Sequence, residues 1–314
     1  MVIRLGIVML FTLAYVPLFA EHPQATIQNG QVTAKLYLPE PTAGYYRGTR
    51  FDWSGVIYSL QFAGHEYFGE WQESDDPYLH DRITGPVESY SVGPHQQAGE
   101  TFLRVGVGVY EKAAAGAKHP FHIVDHGKWG VKSGKNWIAM SHEVNNGKTA
   151  YRYVKRLTLT PGRAELVIDH FLNNTGLAPI ETQVYNHNFF VMDQQPTGPD
   201  FVVGFPFELT AERDLGGFGA VRGKNLVYLR EIPAGDYMIS TFRGFETDDP
   251  RHHGFWLENR KIKAGVSMVT DRPLAKLQLW SPHTTICPEP FIDLKIDPGH
   301  ADRWSIRYTF YTLQ

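Results

Sequence analysis

Apolar and polar residues alternate with a period of two along much of this chain, the spacing of strands that bury one face and wet the other. From Arg303 to Tyr311, Trp304, Ile306, Tyr308 and Phe310 alternate with Arg303, Ser305, Arg307 and Thr309. Tyr151 to Leu159 and Ala164 to Leu172 flank Thr160-Pro161-Gly162-Arg163, where Pro then Gly favours a tight turn, so these segments predict a hairpin. Further strands are expected at Val56–Phe62, Phe102–Tyr110, Trp137–His142, Ile180–Met192, Phe201–Leu209 and Leu274–Trp280. Helical periodicity is scarce. Glu111 to Lys118 contains helix-forming residues but is short and broken by Gly116, and it reads as a loop or a single turn. Many short strands at roughly ten-residue spacing predict an all-β antiparallel sandwich, with residues 24–314 forming one domain.

The N-terminus departs from this pattern. Arg4 precedes an apolar run from Leu5 to Phe19 that ends at Ala20, the layout of a secretory signal peptide over residues 1–20. A membrane span wants about twenty apolar residues, so this run is short for an anchor. The expected location is therefore secreted or periplasmic. Cys287 is the single cysteine, which excludes an internal disulfide and a thiolate metal cluster. An unpaired thiol in an oxidising compartment is expected to be buried. The 30 basic residues nearly balance the 33 acidic ones and form no block of like charge, so neither nucleic acid nor a membrane is an expected partner.

Nucleophile elbows, phosphate loops and His-Glu-x-x-His are absent. His119, His122 and His126 have loosely ligand-like spacing with Asp125 nearby, but they fit no specific metal motif, and no metal or cofactor is expected. Two segments hold more chemistry. In Tyr185-Asn186-His187-Asn188-Phe189-Phe190, strand alternation puts Tyr185, His187 and Phe189 on one face and Asn186, Asn188 and Phe190 on the other. His187 is thus either an oriented acid or base, or a core histidine bonded to a backbone carbonyl. In Ile286-Cys287-Pro288-Glu289-Pro290-Phe291, two prolines stiffen the backbone on either side of a carboxylate in apolar surroundings. Partial burial would raise the proton affinity of Glu289 and suit it to general-base work; the alternative is a carboxylate on an edge loop.

These segments resemble the aldose 1-epimerase (galactose mutarotase-like) superfamily. The His187 segment is similar to its Asn-His-(Ser/Thr)-Tyr-Phe strand, with Asn188-Phe189 in place of the usual Ser/Thr-Tyr. Thr270-Asp271-Arg272-Pro273, the run Leu274–Trp280 and then Cys287-Pro288-Glu289-Pro290 resemble its Thr-x-x-Pro, strand and Cys-Leu-Glu-Pro series. Pro298-Gly299 and the strand from Arg303 resemble its closing elements. The stretch from Tyr46-Arg47-Gly48-Thr49-Arg50 to Gly64-His65-Glu66-Tyr67 resembles its Gly-Arg-rich entry and first hairpin.

The resemblance implies a galactose mutarotase-like antiparallel β-supersandwich that acts on the anomeric centre of a sugar. It implies His187 as the acid on the ring oxygen and Glu289 as the base on the anomeric hydroxyl. A catalytic pair is expected to face one open groove about a sugar ring apart, and either residue sealed in the core tells against catalysis. The family's second histidine lies in a His-Gly-Gly segment that this chain lacks, and His80 is the nearest position. By the same resemblance Arg50 (or Arg47) and Asp249, with His253 in the neighbouring His252-His253-Gly254-Phe255, are the expected substrate-binding positions. The expected ligand is a mono- or oligosaccharide, and the expected assembly a monomer or homodimer. The same fold also hosts non-catalytic carbohydrate binders and polysaccharide lyases, and Tyr185 or Tyr90 near Arg50 would be the lyase candidates.

Overall fold

A computed structural model describes residues 22–92 and 101–314; the expected signal peptide, residues 1–20, lies outside them. Among the described residues the strands form four sheets, every pairing antiparallel. A ten-stranded sheet is centred on Ala264–Thr270, Ala301–Thr312, Glu165–Asn174 and Ala150–Leu159. A six-stranded sheet runs in the order Thr210–Ala211, Tyr237–Arg243, Lys276–Pro282, Cys287–Ile296, Ile180–Phe189, Gly85–Tyr90. Smaller sheets hold Gln24–Glu66 and Thr101–Asp125. The single turn of 3₁₀ helix at Pro250–His252 is the only helical element among the described residues.

Most expected strands appear with small shifts at their ends. The Thr160–Arg163 turn closes as predicted, with the Arg163 amide donating to the Thr160 carbonyl at 3.2 Å and Gly162 at φ 72°. The expected strand Phe102–Tyr110 is instead two, Thr101–Arg104 and Gly108–Lys112, folded back on each other. The turn depends on Gly106, which has φ 74° and whose Cβ, if it had one, would lie 2.2 Å from the Asp52 carboxylate. Alternation cannot register a backbone forced to turn by what packs against it. The expected strand Phe201–Leu209 stops at Gly204, two residues before Pro206, which has no N–H to continue a ladder.

The two large sheets enclose one apolar core, with Ile168, Val266 and Tyr308 from the first and Phe242, Leu277 and Leu279 from the second fully or nearly fully buried. Polar groups cross the same interior. Lys155 Nζ bonds the Glu88 carboxylate and donates to the Ser54 carbonyl at 3.0 Å. Asn186 Nδ2 donates to Glu88 Oε1 at 3.0 Å, and the Tyr308 hydroxyl bridges the Asn186 and Asn188 amide oxygens, 2.6 Å from each. Burial favours the neutral form of Glu88, but Lys155 and His170 prevail and hold it down at about 2. Cys287 is buried as expected, and its thiol is pushed well up by that burial.

Candidate functional site

The strand Ile180–Phe189 presents its two faces as the alternation predicts. Asn186 and Asn188 point toward Tyr308 and the ten-stranded sheet. Tyr185, His187 and Phe189 point the other way, His187 stacking on Phe189 at 4.0 Å and meeting Phe51 edge-on at 5.4 Å. That second face packs under the segments that carry Arg50, Phe51 and Asp81.

Register brings Glu289 to His187. The ladder between Ile180–Phe189 and Cys287–Ile296 ends at Tyr185 opposite Phe291 and reappears as one bridge between Phe190 and Ile286. Both pairs keep the same register, so His187 falls opposite Glu289 and Asn188 opposite Pro288. Pro288 and Pro290 have no N–H to give, and the ladder opens between those two pairs. The Asn188 amide closes part of the gap by donating to the Pro288 carbonyl at 2.8 Å. Glu289 itself pairs with Gln278 on its other side, and Gln278 Nε2 donates to Glu289 Oε2 at 3.1 Å. Glu289 therefore stands within a strand of the six-stranded sheet, not on an edge loop.

His187 Nε2 lies 3.3 Å from Glu289 Oε1, and the two side chains are 3% and 2% exposed. The expected open groove with a sugar-ring gap between the groups is corrected here: the pair is in contact and covered. Arg50 and Asp81 form an ion pair beside it that is itself 32% and 29% exposed. Arg50 Nε also donates to the Tyr185 hydroxyl at 3.2 Å, and His80 Nε2 lies 2.9 Å from Asp81 Oδ2. Trp280 completes the wall 6.0 Å from the His187 ring, with Trp71 packed edge-on against it.

Enclosure rearranges the protons. Burial raises the Glu289 carboxyl to about 7 against the opposing pull of Arg50, Lys276 and Gln278. Burial and then Arg50 push His187 well below its ordinary value, with Asp81 opposing. Below about pH 7 the closed site thus carries one proton on the carboxyl and a neutral imidazole, the reverse of the protonated histidine and ionised glutamate expected from the resemblance. His187 Nδ1 is buried without a hydrogen-bond partner in the structure.

The structure brings together four of the expected positions, His187, Glu289, Arg50 and His80, and keeps two apart. Asp249 caps the Pro250–His252 turn and pairs with Arg251, while His253 Nε2 donates to the Thr247 carbonyl at 2.8 Å. Their contacts are local, and neither is joined to the His187 cluster. Asp81, Gln278 and Trp280 are additional members of the site. Gln278 and Trp280 left a signal in the sequence, as they alternate with Leu277 and Leu279 on the wet side of their strand; Asp81 left only its adjacency to His80.

Next to the cluster lies a cleft of about 900 Å³, walled in part by Arg47, Arg50, His80, Arg104, Phe121 and His122. Arg50 and His80 are common to both. His119 and His122, considered above as metal ligands, turn to Asp76 at 3.4 Å and Glu111 at 2.7 Å respectively.

No protein-family model matches the chain, and no curated protein matches it. Solved structures do match. A GalM/aldose epimerase homologue from C. elegans has a TM-score of 0.58 at 16% identity, covering 94% of this chain and 100% of that one. A putative aldose 1-epimerase from Escherichia coli K12 has a TM-score of 0.55 at 13% identity over 92% and 99% of the two chains. A galactose mutarotase related enzyme from Lactobacillus acidophilus has a TM-score of 0.53 at 13% identity over 93% and 98%. The fold is the galactose mutarotase-like β-sandwich, in a sequence far diverged from these.

Proposed function

We propose that this chain, built on the galactose mutarotase-like fold, interconverts the anomers of a sugar with Glu289 and His187 as its acid–base pair. The observation that carries the reading is the pair itself: a carboxyl titrating near 7 and a neutral imidazole 3.3 Å apart, at one register position of two neighbouring strands. Anomer exchange needs one proton given and one taken. Glu289 gives its proton to the ring oxygen, while His187 takes the proton of the anomeric hydroxyl. The bond between the anomeric carbon and the ring oxygen breaks, its electrons go to that oxygen, and the aldehyde forms. Rotation about the adjacent carbon–carbon bond and closure on the other face return both protons. Direct contact of the two groups supports this cycle, because the imidazolium and carboxylate formed on ring opening stabilise each other until closure returns the protons. The unpartnered His187 Nδ1 is the ring atom left for a ligand hydroxyl. Access requires the Arg50–Asp81 pair to part.

Export through residues 1–20, with residues 24–314 as one domain, belongs to the same proposal and is supported by Arg4 and the apolar run to Phe19. N-terminal sequencing of the mature protein checks it: an N-terminus at Met1 overturns it, one at Glu21 bears it out.

Polarimetry of freshly dissolved α-galactose, α-glucose and α-galacturonic acid tests the activity. Acceleration that Glu289→Gln removes supports it, and an unchanged rate with all three sinks it. The near-complete burial of the pair favours a second reading, a carbohydrate-binding protein whose ligand occupies the cleft and never reaches Glu289. Saturable sugar binding without acceleration selects that reading.

A further inference from the structure

We infer that the cleft beside the pair selects carbohydrates bearing an oxyanion, either a uronate carboxylate or a phosphate or sulfate ester. The carbohydrate half of this inference rests on the function proposed above; the oxyanion half rests on which cations around the cleft have been neutralised. Lys118 and His119 on its rim are matched by Asp76, His122 by Glu111, and Arg50 by Asp81. Arg47 and Arg104 are not: among the described residues neither has a carboxylate at ion-pair distance. Glu40 bonds the Thr42 and Ala43 amides and the Thr42 hydroxyl and acts on Arg47 only from beyond ion-pair distance.

Neutral groups hold both guanidinium groups in place instead. Arg47 donates to the Thr42 carbonyl at 2.7 Å and lies 4.6 Å over the Tyr78 ring. Arg104 donates to the Thr49 and Arg50 carbonyls and lies 5.3 Å from the Tyr110 ring centre. The Nε atom of each is buried and unpartnered. A half-buried cation that lacks a direct ion-pair partner is costly to keep, and a planar guanidinium with N–H groups to spare suits a carboxylate or phosphate bidentately. Leu79, Phe121 and Ile123 add apolar surface in the same cleft, which suits the C–H face of a pyranose ring. Two unmatched guanidinium groups over an apolar floor, next to the acid–base pair, describe a subsite for an acidic sugar.

Binding to Glu289→Gln protein tests this without turnover. Calorimetric titrations would compare galacturonic acid with galactose, and glucose 6-phosphate with glucose, at low and high sodium chloride. At least one acidic sugar is expected to bind about tenfold or more tightly than its neutral partner, with the preference shrinking as salt rises. Preference for the uronate alone, the phosphate alone or both identifies the source of the oxyanion. Arg47→Met should cost the acidic sugar about tenfold. Arg104 also braces Thr49 and Arg50, so Arg104→Lys, which keeps the charge, should retain part of the preference. Equal binding of acidic and neutral sugars, binding of neither, or full preference in Arg47→Met overturns the inference. Equal binding together with anomer exchange by the native protein would overturn this inference alone. Acid preference without exchange would overturn the epimerase reading alone.

Discussion

Arg50 and Asp81 form an ion pair directly beside the enclosed His187 and Glu289, and they act on Glu289 with opposite signs. Arg50 favours its carboxylate and lowers its pKa, whereas Asp81 disfavours it. Removing each partner should therefore move Glu289 in opposite directions. Asp81→Asn should bring the carboxyl below about 7, and Arg50→Met should lift it above. Carbon-13 NMR of the glutamate carboxyls, with the Glu289 signal assigned by its loss in Glu289→Gln, reads both shifts. Movement in the same direction, or none, would show that the ion pair does not govern the site.

The pH dependence of anomer exchange follows from the same two groups. The pair holds one transferable proton when Glu289 is protonated and His187 is neutral. Glu289 loses its proton as pH rises through about 7, so the rate constant should decline above that value, approaching tenfold per pH unit. Because His187 is pushed well below its ordinary value, the acid limb should fall only well below pH 6.5. Polarimetric rates between pH 4 and 9 check both limbs. A rate that climbs through pH 7 would mean that Glu289 acts as a carboxylate, as the sequence resemblance alone implied.

Stability should run against activity at this position. The folded-state pKa of Glu289 is raised above the ordinary 4.5, so its burial costs little at low pH and destabilises progressively as pH rises from there through about 7. A shift of that size corresponds to at most about 3 kcal/mol once the carboxylate is fully formed. Glu289→Gln removes the charge but keeps the amide within reach of Gln278. Urea denaturation should then find the variant more stable than the native protein at pH 8.5, with the gain shrinking toward pH 5. No difference between the two pH values would mean that the carboxyl is solvated in solution and the cover largely open.

Much of this arrangement was legible in the sequence, and where it was not, the reason is tertiary. Period two assigned His187 and its aromatic neighbours to one face and Asn186 and Asn188 to the other, because side-chain direction in a strand is a local property. Placing His187 and Glu289 at one site depends on the register of strands 102 residues apart in the chain; only the ordered resemblance around both residues pointed to it, and their direct contact was not legible. Enclosure by Arg50 and Asp81 was not legible at all. It arises from loops packing against the six-stranded sheet, and loop paths leave no periodic trace. Asp249 and His253 illustrate the same limit, since position in the chain suggested the site while a local cap and a backbone carbonyl took their side chains.

The strand that carries His187 is held from behind by the buried polar groups between the sheets, and that support should be measurable. Tyr308 bridges Asn186 and Asn188, the residues on either side of His187, while Lys155 bonds Glu88, which in turn accepts from Asn186. Tyr308→Phe removes the one hydroxyl proton that two buried amide oxygens share, at a cost of about 1–3 kcal/mol. Lys155→Met leaves Glu88 buried without its cation, close to a second carboxylate at Asp52, and should cost about 3–5 kcal/mol. Urea denaturation reads both losses. The functional consequence separates them from generic destabilisation: in folded Tyr308→Phe protein at 20 °C the His187 strand has lost its rear anchor, so the turnover number should fall while the Glu289-dependent alkaline limb stays near pH 7. A variant that loses stability with an unchanged turnover number would mean that Pro288, Pro290 and the aromatic stack on Phe189 position the imidazole without help from the interior.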